Sequence, residues 1–474
     1  MELSPIPPRR PLVWPLLIER LAKAAADPSA LYLVGGAVRD ALLGIATHDV
    51  DLATAGDGLS HARQLANALD GVYYPIDPER HTGRALIPDS DGVTVVDVAS
   101  FRGNDLLTDL AGRDFTINAM AVPLSQPMLV IDPLGGQIDL FDAKLLRQCS
   151  PSSIASDPIR ALRAVRLALQ FRLRMEPATR EAARSAASLL ADAAGHLFQP
   201  ERVRDELFKM LSGRQPLAAV RLLNALGLLR AIWPGTFPQP EALAAGMRVA
   251  ERLADLITII SPRRDDNVAA DLMLGVAVMV LDRHRRQLQD HLATEIGQGR
   301  PRAALLLLGA LTPRDWWPAP PWAEHLRLSN AEKRVLSGLQ ETRRLSYLPV
   351  GWVDDRQAHR YYLTLGESGL DGVLLALAEY LAQEEPSPDP ETWGNLLDRV
   401  ASPLLDAYFR RHQQVVAPPP LITGDDLARS LGLAPGPQIG YLLDRLLEEQ
   451  AAGTIRTKKE ALRLAKRLLG STDL

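Results

Sequence analysis

The sequence contains a single cysteine, Cys149, in 474 residues. An internal disulfide framework is therefore excluded, and one thiol fits a reducing compartment. With only nine scattered histidines, a structural zinc site is also disfavoured. No apolar run is long enough to span a membrane. The opening stretch "MELSPIPPRRPLVWPLLIERLAKAAA" is broken by prolines and then turns amphipathic. It lacks the basic start and unbroken apolar core of a signal peptide, so a cytoplasmic location is expected. A basic excess is missing too: the formal net charge is −4. Any nucleic-acid contact has to come from a local patch. There is no P-loop of the form G-x-x-x-x-G-K-[ST], and no fixed-period repeat.

What is present divides the chain by character. The length allows about three domains. Residues 1–150 read as mixed α/β. "LYLVGG" (31–36) is a buried strand ending in glycines, and "AVRDALLG" (37–44) is a short helix closed by Gly44. "HDVDLATAG" (48–56) alternates as a strand, "LSHARQLANAL" (59–69) is helical, and "GVYYPID" (71–77) is a strand. "GVTVVDVASF" (92–101), rich in β-branched residues, is the clearest strand, and "MLVID" (128–132) is another. After residue 150 nearly every segment has helical periodicity. Proline-rich breaks at "SPRRDDN" (261–267), "TPRDWWPAPP" (312–321), "EEPSPDPET" (384–392) and "VVAPPP" (415–420) are expected linkers. Residues 454–474 carry six Lys or Arg against two acids, a local charge of +4.

The chemistry-bearing residues concentrate before residue 170. Asp49 and Asp51 stand two apart on one strand, so they share a face at roughly 6–7 Å. Like charges that close need a cation between them, unless they are simply solvated on a surface strand. Asp97 interrupts the strongest strand, where an unpaired carboxylate costs several kcal/mol. Mg²⁺ ions shared with Asp49 and Asp51 would satisfy it, in the manner of enzymes that displace pyrophosphate. A salt bridge to Arg84 or Arg102 would satisfy it equally. Gly35 and Gly36 mark a strand-to-helix turn, where free N–H groups suit phosphate, although such a pair is also an ordinary turn. Arg39 follows one helical turn later. In "GRDFTINAMAV" (112–122), Arg113 can neutralise a triphosphate. Asp114 and Asn118 can bond a ribose hydroxyl, or bracket strand and helix. Asp157 precedes Pro158 and reads as a helix cap. Arg160, Arg163 and Arg166 recur every third residue with no acids to pair them, a strip suited to phosphates and base edges.

The segments "LVGGAVRDALLG", "HDVDLAT", "RDFTINAMA", "DPLGGQIDLFDAKLLR", "DPIRALRAVR" and "ERVRDELFKML" resemble the ordered motifs of the class II tRNA nucleotidyltransferase and bacterial poly(A) polymerase family. The stretch "GDDLARSLGLAPGPQIGYLLDRLLEEQAAGTIRTKKEAL" (424–462) is similar to the C-terminal domain of bacterial CCA-adding enzymes. The resemblance implies an α+β fold, with a nucleotidyltransferase palm over 1–150. A helical neck (151–215), body (216–415) and tail (416–474) would follow. It implies Mg²⁺ ligation by Asp49 and Asp51, with Asp97 completing the carboxylates. Gly36, Arg39 and Arg113 would hold the triphosphate, and Asp114 would read the ribose. Asp157 and Arg160 would read the base of CTP or ATP, with Arg163 and Arg166 in support. The partner implied is the 3′ end of tRNA, extended with CCA.

Three departures qualify that expectation. The neck motif of the family begins Glu-Asp, whereas Ser156-Asp157 stands here, which removes an acid that would brace Arg160. Gly112 replaces the first arginine of an Arg-Arg-Asp motif. The metal-dependent HD phosphohydrolase module of many relatives corresponds to "RAALLLLGALTPR" (302–314), which has no His-Asp pair; His325 and His359 read as isolated. The body is therefore expected to be a helical scaffold for RNA. The shared motifs do not separate full CCA addition from CC-only, A-only or poly(A) addition. A non-catalytic RNA-binding protein would not need all three acids. A small-molecule nucleotidylyltransferase would not need the long helical body.

Overall fold

The computed structural model describes residues 3–47, 49–89, 92–192, 195–233, 238–262, 271–297, 299–312, 322–344 and 351–470. It is an α+β chain of two compact units, Met1–Pro234 and Gly235–Leu474. No described helix is long and apolar enough to cross a membrane.

The first unit is organised by a six-stranded sheet of order β3-β4-β5-β2-β1-β6. The strands are β1 (Leu31–Val34), β2 (Asp49–Thr54), β3 (Val72–Asp77), β4 (Thr82–Asp89), β5 (Gly92–Ser100) and β6 (Ala121–Pro123). Only β2 and β5 pair in parallel; every other neighbour is antiparallel. Period-two alternation decides which side chains meet the core. Val50, Leu52, Val96 and Val98 turn inward. They meet helices α1 (Leu17–Ala24) and α3 (Gly58–Ala68) through Leu17, Ile18, Leu21, Ala62 and Leu65. The residues between them, Asp49, Asp51 and Asp97, therefore project from the opposite face.

Two expectations about strands need correction. "MLVID" is not a strand; Val130 and Ile131 make only isolated pairings, with Ile6 and Ala121. Pro127 and Pro133 flank it and cannot donate to a ladder. Conversely, "TGRALIPD" forms β4 although Gly83, Arg84 and Pro88 make it a poor strand by composition. Pairing with β3 and β5 on both sides overrides that weak local preference. Helix α2 (Gly36–Leu43) ends as expected, with Gly44 in the left-handed conformation. Asp157 and Pro158 do precede the helix Ile159–Gln170.

Among its described residues, the second unit is helical apart from one short strand pair, Glu295–Gly297 with Arg300–Pro301. Its long helix Pro240–Ile260 packs against Arg302–Ala310 and Ser368–Leu381. Fully buried Trp393 donates its indole N–H to the Met273 carbonyl at 2.7 Å. Helices Gly424–Leu431, Pro437–Ala451 and Lys458–Gly470 enclose their own core of Leu427, Leu442, Leu446 and Ile455. Most of "SPRRDDN" and "TPRDWWPAPP" lies outside the described residues, as do the last two residues of "RAALLLLGALTPR". The other two proline-rich breaks connect helices, as expected.

His359 Nδ1 lies 2.8 Å from the Val415 carbonyl oxygen, a backbone partner and not an acid. Beside the Arg302–Ala310 helix, His291 Nε2 meets buried Asp371 at 2.7 Å, and Arg302 meets the other Asp371 oxygen at 3.0 Å. Eighty residues separate His291 from Asp371, so no local motif announces the pair.

Gly58, at the start of α3, tests how tightly the helix seats on the sheet. A Cβ there would lie 2.3 Å from the His81 carbonyl oxygen and 2.7 Å from that of Val98. Both are backbone atoms of the sheet region and cannot rotate away. Gly58→Ala is expected to cost about 1–3 kcal/mol, read by urea denaturation. An unchanged unfolding midpoint would mean that α3 slides freely on β5.

Candidate active site

The open face of the sheet borders a cleft of ≈ 540 Å³. Its lining carries seven arginines against five aspartates, so a polyanion is favoured at its mouth. Gly35, Gly36, Arg39, Asp49, Asp51, Arg113, Asp114, Asn118, Asp157, Arg160, Arg163 and Arg166 all contribute to this lining. Twelve of the thirteen residues singled out from the sequence are thus brought together. Asp97 is the one left out.

The position of Asp97 follows from strand register. Asp51 is paired with Asp97 across β2 and β5, and Asp97 with Arg84 across β5 and β4. Arg84 closes a fork on Asp97, Nε to Oδ1 at 2.7 Å and Nη2 to Oδ2 at 2.8 Å. Both Asp97 oxygens are therefore committed. The salt-bridge alternative weighed for Asp97 is present, and a role as third metal ligand would compete with Arg84.

Asp49 and Asp51 remain solvent-accessible in the cleft. Asp51 nevertheless has enough protein around it for desolvation to raise its pKa. Arg113 opposes that rise, while Asp97 and Asp49 add to it. A crowded anion of this kind suits a hard divalent cation. Among the described residues no three His, Cys, Asp or Glu side chains form a complete cage. Mg²⁺ needs no such cage, since it takes one or two carboxylates plus phosphate oxygens of a substrate. The residues fit the ion as a half-site that a nucleotide would complete.

The turn before α2 brings backbone close to these acids. Gly35 has φ +74°, and a Cβ there would lie 3.1 Å from Arg113 Nη1 and 3.3 Å from Asp51 Oδ2. A side chain would be strained by the backbone and would crowd the two groups that face each other across the cleft. Arg39 is 7% exposed and stacks over Phe171 at 4.4 Å. Burial lowers its pKa, and Asp40 pulls the other way. Its Nη1 donates to Asn118 Oδ1 at 2.5 Å, and its Nε and Nη2 to Asp40 at 2.9 Å.

The arginine strip is not unpaired. Arg163 Nη2 lies 2.8 Å from Asp114 Oδ2, and Arg166 Nε donates to Glu206 at 2.7 Å. The acids come from other elements, Glu206 from the helix Pro200–Leu211. Arg160 is braced by the carbonyls of Ser153 at 3.0 Å, Gly112 at 3.0 Å and Arg113 at 3.3 Å. The glutamate missing at Ser156 is thus replaced by backbone oxygens, and Arg160 is held rather than loose. Asp157 caps Ile159 N–H at 3.3 Å and receives Arg202 Nη2 at 2.8 Å. Asp114 accepts from Phe115 N–H at 2.8 Å and Asn118 Nδ2 at 3.1 Å. Burial pushes the Asp114 pKa up, but Arg163, Asn118 and the Phe115 amide outweigh it and hold it below the ordinary value.

Four residues of this network carried no signal in the motif reading. Asp109, buried on α4 (Leu106–Ala111), takes Arg113 Nη2 at 2.9 Å and the Arg102 backbone N–H at 3.2 Å. The i,i+4 spacing to Arg113 was the available clue. Asp40 was visible as the neighbour of Arg39. Arg202 and Glu206 lie in the "ERVRDELFKML" segment, but nothing local says what they meet.

Residues 31–147 match the poly A polymerase head domain, and 172–239 match the probable RNA- and SrmB-binding site of polymerase A. A CC-adding tRNA nucleotidyltransferase of Geobacter sulfurreducens is 32% identical, over 97% of this chain and 96% of that one. An A-adding tRNA nucleotidyltransferase of Deinococcus radiodurans is also 32% identical, over 93% and 96%. The chain belongs to the tRNA nucleotidyltransferase and poly(A) polymerase family. A solved CCA-adding enzyme in complex with CTP superposes with a TM-score of 0.66 over 97% of each chain, at 21% identity, and shares the fold. This nucleotidyltransferase therefore carries its acids and arginines on a palm sheet and the helices that follow it.

Asp114 gives a pH test of the network. Its folded-state pKa lies below the ordinary aspartate value of 3.8. A depressed carboxylate contributes stability that is present above the unfolded pKa and lost as pH falls through the folded one. Asp114→Asn is expected to cost about 1–3 kcal/mol at neutral pH. The gap from wild type should shrink below pH 3.8. Urea melts across that range measure it, and a gap independent of pH would show that the charge of Asp114 is not what matters.

Proposed function

We propose that this nucleotidyltransferase extends the 3′ end of tRNA, using CTP and ATP to build or repair CCA. The observation that carries the reading is one cleft lined by Asp49 and Asp51, in which Asp51 and Arg113 both approach Gly35 and Arg39 and the arginine strip share the lining. In this reading residues 1–150 form the catalytic head and 151–215 the neck that selects the nucleotide. Residues 216–415 form the body, and the tail 416–474, basic over its last stretch 454–474, grips tRNA in the cytoplasm.

The 3′-hydroxyl oxygen attacks the α-phosphorus, the bond to the bridging oxygen breaks, pyrophosphate leaves, and the hydroxyl proton passes to solvent. Asp49 and Asp51 would hold Mg²⁺, which when bound lowers the hydroxyl pKa and offsets charge on the leaving group. The Gly36 turn, Arg39 and Arg113 bind the triphosphate and orient it. Asp114 and Asn118 contact the ribose. Asp157 and Arg160 offer an acceptor and a fork of donors to the base edge. Their rigid bracing supports selection, because a mismatched edge leaves polar groups unpaired at roughly 1–3 kcal/mol each.

A second reading is addition of only CC or only A. It is favoured by one finding: a CC-adding and an A-adding relative are equally identical to this chain, at 32%. Purified protein incubated with tRNA lacking CCA, or ending in CC, with each nucleotide separately, distinguishes these. Extension of both substrates supports full addition; extension of one supports the partial activity; extension of neither overturns the proposal. Asp51→Ala should abolish incorporation and leave tRNA binding in place, because affinity for RNA comes from basic surfaces elsewhere. Asp157→Ala should admit UTP and GTP more than it lowers the melting temperature. A lowered melting temperature with unchanged nucleotide choice would leave Asp157 as a helix cap and partner of Arg202.

A further inference from the structure

The face of the sheet that carries the acids holds a polar row running outward from the cleft. Tyr74, Arg84, Asp97 and Asp51 are consecutive register partners on β3, β4, β5 and β2. Asp51 is exposed to the cleft and Tyr74 to solvent at the sheet's edge strand. Between them, Arg84 spends two of its three nitrogens on the two oxygens of Asp97. Tyr74, the register partner of Arg84 on β3, adds to the stabilisation of its charge. The guanidinium thus lies beside the carboxylate cluster as a fixed internal cation.

We propose that Arg84 is a positioning residue that withholds Asp97 from divalent metal at the catalytic carboxylates. The inference rests on the assignment of Asp49 and Asp51 as the metal-binding pair. A bidentate fork on a carboxylate is among the stronger side-chain pairings, and it engages both Asp97 oxygens from the β4 side, so a metal would have to compete with Arg84 for them. A metal entering between Asp49 and Asp51 therefore meets two carboxylates rather than three. Site affinity for a hard cation rises with the number of ligating charges. The two-carboxylate site is weak until nucleotide phosphates add oxygens. Arg84 in this way ties metal occupancy to nucleotide occupancy, and it keeps the empty site from holding a cation tightly enough to block turnover.

The test is Mn²⁺ binding to the full-length protein without nucleotide, read by electron paramagnetic resonance of the free ion. Wild type should bind weakly, and Asp51→Asn should remove that binding. Failure of the Asp51 dependence overturns the metal-site assignment itself. Arg84→Met should tighten Mn²⁺ binding by roughly threefold to tenfold, as expected for one added ligating charge. Asp97→Asn in the wild-type background should leave affinity within about twofold, because Asp97 is already withheld. Arg84→Met combined with Asp97→Asn should return affinity to the wild-type value. Arg84→Lys, which keeps a cation but loses the fork, should fall between wild type and Arg84→Met and covers the case in which the methionine variant does not fold. Circular dichroism melts accompany each variant. Unchanged or weaker Mn²⁺ binding in folded Arg84→Met or Arg84→Lys overturns the proposal. So does a severalfold loss in Asp97→Asn alone, because Asp97 would then be a ligand despite Arg84.

Discussion

Parallel pairing of β2 with β5 places Asp51 directly beside Asp97, and much of the first unit serves that juxtaposition. Two carboxylates in matched register on adjacent strands repel, and the surrounding protein weakens the water that would screen them. The sheet answers with a guanidinium on each side. Arg84 neutralises Asp97 from β4, while Arg113 faces Asp51 across the Gly35 turn. Arg113 is itself held by buried Asp109. The acids of β2 can stay on an open face because Val50 and Leu52, between and after them, anchor the strand in the core.

The same logic extends through the helices that follow. Four cleft arginines are fixed by side chains brought from elsewhere in the chain, Arg39 by Asn118 in addition to its neighbour Asp40, Arg163 by Asp114, Arg166 by Glu206 and Arg202 by Asp157. Arginine has a long side chain whose ordering costs free energy. Prior pairing removes much of that cost from the binding step, so a phosphate or base meets donors already in place. Because each partner carboxylate takes only part of a five-donor guanidinium, N–H groups remain for a ligand. Arg163 illustrates this, with a buried Nε that has no hydrogen-bond partner among the described residues.

These interactions explain what could be read from the sequence. Strands β1, β2, β3 and β5 and helices α2 and α3 were legible because their alternation or caps are local. Twelve site residues were legible because ordered motifs mark them. Strand β4 was not, since its stability comes from neighbours on both sides and its composition argues against it. The partner of Asp97 stayed undecided between metal, Arg84 and Arg102, because register between strands is set by the whole sheet. The arginine strip looked unpaired for the same reason: Asp114 and Glu206 are about 40 residues or more from the arginines they meet. Spacing along the chain reports the face of an element; it does not report what that face meets.

Substitution at Ser156 shows how far such a network tolerates change in its parts. A glutamate at that position would brace Arg160 by charge. Here the carbonyls of Gly112, Arg113 and Ser153 converge on the same guanidinium. Gly112 and Arg113 lie where the family motif places Arg-Arg, so one departure from the motif supplies a bracing atom for the other. The carbonyls are dipoles, not charges, and they belong to backbone fixed by α4 and the turn after it. Arg160 also lies 3.9 Å from Asp157, so that acid offsets part of its charge while the carbonyls set its orientation. In the proposed reading a nucleotide meets an Arg160 that is already oriented, and the choice of base draws on Asp157, which Arg160 and Arg202 both approach.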